Sequence, residues 1–144
     1  MKRSLLCACV LVLVVSCSGV TEPPRVRVLG AVAGYQDDDP RIALRTEGRT
    51  VHVTISTYGG GCDSRGDTEV VVQGLVADIS PYDYTAVAGT ACTRELKTFL
   101  HEVAVEFQEG GTARLRIRGI DTRALTTANM IGDTIIVERS VALP

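Results

Sequence analysis

Between Phe99 and Gly119 the chain reads FLHEVAVEFQEGGTARLRIRG, and this stretch constrains the fold more than any other. Phe99, His101, Val103, Val105 and Phe107 occupy one phase of a two-residue period, and Leu100, Glu102, Ala104 and Glu106 occupy the other. Successive side chains of an extended strand point to opposite faces, so such a segment separates its apolar residues from its charges only as β-structure. Ala113, Leu115 and Ile117 repeat the pattern against Arg114, Arg116 and Arg118. The sequence predicts that the two runs pair as a hairpin closed by Glu109-Gly110-Gly111. Phe107 then meets Ala113, Val105 meets Leu115, Glu106 faces Arg114 and Glu102 faces Arg118. A slip of one residue would set Val105 against an arginine, which fixes the register.

The rest of the domain follows the same grammar. RVRVLGAV (25–32), RIAL (41–44), TVHVTIST (50–57), TEVVVQGLVADIS (68–80) and TIIVERSVAL (134–143) are short runs rich in β-branched residues, separated by turn formers. Gly74 marks a tight turn or a bulge inside the fourth of them. No segment carries the period of an amphipathic helix. About seven or eight strands at this spacing predict an all-β domain, an antiparallel β-sandwich, with a small closed β-barrel as the alternative. An immunoglobulin-like topology is one arrangement that this strand number allows, although the chain has no tryptophan to mark it.

The amino-terminal residues belong to a different regime. Lys2 and Arg3 precede an uncharged run, Leu5 to Val15, which is too short to span a bilayer core of roughly 20 helical residues. This layout is that of a signal peptide over residues 1–16. Val14-Val15-Ser16-Cys17 resembles the lipobox of bacterial lipoproteins. The resemblance implies cleavage before Cys17, a diacylglycerol on its thiol and acylation of the new amino group. Two or more chains hold a protein on a membrane where one does not. Ser18 in the next position implies onward sorting to an outer membrane in a cell that has one. Residues 17–24 are then a lipidated start and a polar spacer ending in Pro23-Pro24, and 25–144 form one β domain. TYGGGC and DISPYDY also resemble segments of exported bacterial lipoproteins of unassigned activity, which implies no chemistry.

The formal net charge of −2 becomes −4 once Lys2 and Arg3 leave with the signal. A mildly acidic domain does not fit general nucleic-acid binding. Of five cysteines, Cys7 and Cys9 leave with the signal and Cys17 takes the lipid, so Cys62 and Cys92 remain to form a disulfide in an oxidising compartment. A metal pair or a catalytic thiol at these positions lacks company, since the chain has two histidines and no Cys-x-x-Cys.

The candidate sites divide as follows. His52 lies in the polar phase of its strand. His101 lies in an apolar phase, and no Gly-x-Ser-x-Gly motif accompanies it. Burial of His101 without a carboxylate or hydroxyl partner in a cleft would favour a binding protein, and a cleft gathering it with such groups would favour a hydrolase. Asp37, Asp38 and Asp39 in QDDDP offer hard oxygen ligands, but three adjacent residues do not converge on one cation, and a solvated turn is the reading adopted. Arg114, Arg116 and Arg118 form a basic stripe that Glu102 and Glu106 offset. Arg65-Gly66-Asp67 is an integrin-type tripeptide and equally good turn chemistry. Tyr58, Gly59, Gly60 and Gly61, with Tyr82 and Tyr84, are the candidate partner-binding loops, because glycine permits close backbone approach and tyrosine supplies amphipathic surface. The sequence therefore points to a non-catalytic lipoprotein of the cell envelope, without cofactor or metal, that meets a protein or glycan partner. An exported enzyme acting on envelope polymers is the alternative.

Overall fold

The computed structural model describes residues 24–34, 40–123 and 132–144. The signal, the lipobox, the spacer as far as residue 23 and the Asp37–Asp39 run lie outside these residues. Nine strands are present: β1 (Arg25–Leu29), β2 (Ala31–Ala33), β3 (Ile42–Glu47), β4 (Thr50–Gly59), β5 (Ser64–Gln73), β6 (Val76–Ala86), β7 (Lys97–Glu106), β8 (Gly111–Asp121) and β9 (Asp133–Leu143). They form a β-sandwich that is not closed into a barrel, with one or two strands more than the sequence spacing predicts.

One layer is β5, β6, β8 and β9, and the other is β3, β4 and β7. β1 joins the first layer on the edge of β6 that β8 also uses: Val76–Ile79 pair with β8, and Tyr82–Ala86 pair with β1. β2 is hydrogen-bonded to β8 and to β4, so it stitches the layers together. Both contacts of this corner with β8, from β6 and from β2, run parallel, while the other pairings are antiparallel.

Gly74 and Leu75 form the turn predicted within TEVVVQGLVADIS, with Gly74 at φ +58° and Gln73 opposite Val76. The hairpin predicted between β7 and β8 does not form. β7 pairs along its whole length with β4, Val51 against Val105 and Val53 against Val103. β8 pairs with β9, Leu115 against Arg139 and Ile117 against Val137. Glu109 and Gly110 instead carry the chain from one layer to the other, so Val105 and Phe107 face Ala113, Leu115 and Ile117 across the core. The same apolar rows meet, but by packing rather than through a ladder. The expected Glu102–Arg118 and Glu106–Arg114 pairs are consequently replaced, and Arg116 bonds Asp78 at 3.1 Å with Glu138 at 3.8 Å.

The core is Val32, Val51, Val53, Ile55, Ala77, Ile79, Val105, Phe107, Ala113, Leu115, Ile117 and Leu143. Burying each large side chain contributes about 1.5–3 kcal/mol, before the opposing chain entropy. Two polar residues share the phase of these apolar rows: Asp83 follows Ala77, Ile79 and Pro81, and His101 precedes Val103 and Val105.

Candidate binding cleft

Gly30 is the hinge of the corner. Its N–H donates to the Pro81 carbonyl at 2.9 Å and its own carbonyl accepts from the Ile120 N–H at 2.9 Å, which is where the chain leaves β6 for β8 and β4. A side chain there has no room: a Cβ would lie 2.6 Å from Thr57 Cγ2 and 3.0 Å from Asp83 Oδ2. The strands diverge around this point and leave a cleft of about 380 Å³. Val28, Leu29, Ala31, Tyr58 and Ile120 supply apolar wall, and Asp63 and Asp83 supply carboxylates.

Asp83 is held from behind by His101. Their side chains are 6% and 1% exposed, and His101 Nε2 lies 3.1 Å from Asp83 Oδ1. Nε2 is also 3.2 Å from Thr57 Oγ1, and Nδ1 is 2.9 Å from Thr68 Oγ1. The Thr68 hydroxyl can donate to Nδ1, and an Nε2–H can donate to Asp83 Oδ1 with Thr57 Oγ1 also in reach. Asp83 Oδ2 is buried and has no hydrogen-bond partner. On the other side of the imidazole, Arg65, Gly66, Thr68, Glu102 and Val103 border a second, polar cleft of about 320 Å³.

The structure redistributes the predicted surface. Tyr58 closes β4 and is buried at 8% exposure, and it lines the cleft with Tyr84. Tyr82 and Tyr84 lie within β6 rather than in a loop. Tyr82 is committed to an internal contact: Arg27 Cζ sits 3.4 Å from its ring centroid. Arg27 in turn grips Asp67 through Nε and Nη2 at 2.9 and 2.8 Å, and Glu69 at 2.7 Å. These bonds hold the Asp67 carboxyl below its ordinary range and raise the guanidinium pKa further.

Arg65-Gly66-Asp67 is therefore part of strand β5 rather than a turn, with a bulge between Arg65 and Thr68. Gly59 meets the Asp63 and Phe99 side chains, and Gly60 and Gly61 approach the backbone of Glu95 and Thr93. A Cβ on Gly61 would collide with Thr93, and Lys97 Nζ donates to the Gly61 carbonyl at 2.7 Å. Cys62 and Cys92 are joined, with Cα atoms 5.3 Å apart, and pin this loop to the segment before β7. Asp63 then turns back so that its carboxylate accepts from the Gly60 N–H. His52 is half-exposed on the outer face, 3.5 Å from Glu47. Among the described residues, no group of three or more His, Cys, Asp or Glu converges as metal ligands.

Sequence reasoning missed Asp83. The signal was available: an aspartate in the buried phase of its strand and a histidine in the buried phase of another are each other's natural partner. No protein-family model matches the chain, and no curated protein or solved structure is detectably similar to it.

Proposed function

We propose that residues 25–144 are a non-catalytic binding module of the bacterial cell envelope, held at a membrane by lipid on Cys17, that takes its ligand in the cleft at the β1–β2 corner. The observation that carries the reading is the gathering of Tyr58, Asp63 and the buried Asp83 on one concave, largely apolar site that Tyr84 borders. Binding sites commonly combine an apolar wall with a few fixed polar groups. Support for the address comes from the lipobox-like residues Val14 to Cys17 and from the Cys62–Cys92 disulfide, which suits an oxidising compartment. A protein or glycan of the envelope is the partner class.

The test has two parts. Intact mass of the isolated protein should give a chain that begins at acylated Cys17, and Cys17→Ala should abolish acylation. A photo-crosslinking residue at Val28, on the cleft wall, should trap a specific partner in intact envelopes, while one at Ile136 on the remote face of β9 should not. Equal trapping from both positions would overturn the cleft as the site.

A second reading, an exported hydrolase, is favoured by one observation: Thr68 Oγ1, His101 and Asp83 form a hydroxyl–imidazole–carboxylate chain beside the polar cleft. In that reading Nδ1 takes the Thr68 proton as the hydroxyl adds to a carbonyl and returns it to the departing alcohol or amine, water then cleaves the acyl-threonine, and Asp83 orients the ring. The ring's 1% exposure and its additional bond to Thr57 fit a polar core network better. A fluorophosphonate probe decides between them. Labelling of Thr68 that is lost in His101→Gln would establish the hydrolase, and absence of labelling would reject it.

A further inference from the structure

We propose that the corner cleft recognises an alkylammonium group, which docks its charge against Asp83 and Asp63 and lays its carbon stem along the apolar wall. The inference rests on the reading of this cleft as the binding site and names the chemistry that the site selects.

The first argument is the open valence of Asp83. His101 occupies Oδ1, and Oδ2 is buried without any donor. A buried acceptor left unsatisfied costs about 1–3 kcal/mol, and more when it belongs to a charged group. Buried polar groups in native proteins nearly always find a partner, so an exception calls for one supplied from outside. Asp83 lines the cleft together with Gly30, and Oδ2 lies 3.0 Å from where a Cβ on Gly30 would stand.

The second argument is the sign of the site. His101 is shared among Asp83 Oδ1, Thr57 and Thr68 and makes no contact with Oδ2. No lysine or arginine is paired with Asp83 or Asp63 among the described residues. Asp63 adds a half-buried carboxylate to the same cleft, its oxygen fixed by the Gly60 N–H. Two carboxylates that meet no lysine or arginine in an apolar recess repel anions and leave neutral donors at a disadvantage to cations.

The third argument selects among cations. A guanidinium is a planar fork that prefers both oxygens of one carboxylate, whereas Oδ1 of Asp83 is already taken. A calcium ion requires six to eight oxygens, and two carboxylates fall well short. A primary ammonium is a compact donor that can share its hydrogens between one oxygen of Asp83 and the Asp63 carboxylate. Val28, Leu29, Ala31 and Ile120 then cover its methylenes, as lysine stems are commonly covered on protein surfaces. The group could be carried by a free amine or by a lysine-type side chain of a peptide.

The experiment titrates the ¹⁵N-labelled full chain with n-butylammonium, and in parallel with 1-butanol and butyrate at constant ionic strength. Butylammonium should give saturable amide shifts at Gly30, Asp83, Thr85 and Tyr58, with affinity at least about tenfold above either control. Val28→Lys provides a built-in competitor. Val28 lies directly opposite Asp83 on the neighbouring strand and is 36% exposed, so the variant should fold and place its own ammonium in the cleft. Its affinity for butylammonium should fall at least about tenfold. Nα-acetyl-lysinamide identifies the source: tighter binding than butylammonium assigns the site to a peptide-borne lysine, and equal binding assigns it to a free amine.

Shifts of equal size with 1-butanol, or undiminished binding to Val28→Lys, would overturn the ammonium assignment. So would no response to either amine while crosslinking at Val28 still traps a partner, and in that case the binding-module reading would survive it.

Discussion

His101 of β7 and Asp83 of β6 meet at 3.1 Å in the interior, and each depends on the other to be there. Breaking a buried pair by removing one member typically costs about 3–5 kcal/mol, because the survivor is left polar and unpaired. His101→Ala should lower the free energy of unfolding by about that amount in urea titration. Asp83→Ala should do the same, and the double variant should lose at least about 1 kcal/mol less than the sum of the singles. Additive losses would mean that the contact carries no coupling.

Gly119 of β8 lies against Val32 of β2, where a Cβ would fall 2.3 Å from Cγ2 and 2.5 Å from Cγ1. This contact lets the stitching strand lie flat on the first layer. Gly119→Ala should destabilise by about 1–3 kcal/mol through overpacking. Adding Val32→Ala should recover part of the loss, since it removes the two nearest atoms in conflict and leaves only Val32 Cβ at 2.9 Å. A double variant less stable than both singles would contradict the close-approach explanation.

These relationships were unequally legible in the sequence. Alternation identified most strands, and the turn at Gly74 was plain from chemistry, because both are local. The partner of β7 was not. Val51, Val53 and Ile55 of β4 offer the same apolar row as Ala113, Leu115 and Ile117 of β8, so matching apolar to apolar cannot choose between them. A Glu-Gly-Gly connection serves a hairpin or a passage between layers equally well. Tyr58 and its glycines read from the sequence as a partner-binding loop open to close backbone approach, but the structure uses the glycines to seat the 93–97 segment. Asp83 is obscured in the sequence because Tyr82 and Tyr84 make the opposite phase of β6 look like the apolar one, although it is the phase of Asp83 that is buried.

The disulfide between Cys62 and Cys92 spans 30 residues, and closing a loop of this length stabilises by about 3.5 kcal/mol on the chain-entropy estimate. Cys62→Ser with Cys92→Ser should therefore lower stability by about 2–4 kcal/mol. The effect should be larger at the β1–β2 corner than at the far end of β8–β9, since the bridge anchors the loop that carries Asp63 into the cleft. Hydrogen exchange resolves this: Gly60, Asp63 and Lys97 amides should lose protection first. Thiol titration of the denatured, unreduced protein should find neither of these two sulfurs free.

Arg27 and Asp67 give a pH-dependent contribution whose sign follows from their contact. Two hydrogen bonds from the guanidinium hold the Asp67 carboxyl below its ordinary 3.8 in the folded chain. A group whose folded pKa is depressed stabilises the fold above its unfolded pKa, and that contribution disappears as pH falls through the folded value. Asp67→Asn should thus be less stable than the parent at neutral pH, and the gap should narrow as pH falls below about 4. Asp67 is about half exposed, so the gap is modest and added salt should shrink it. Urea midpoints for both proteins down this pH series provide the measurement. A gap that persists undiminished at the acid end would show that Asp67 acts through packing rather than through its charge on Arg27.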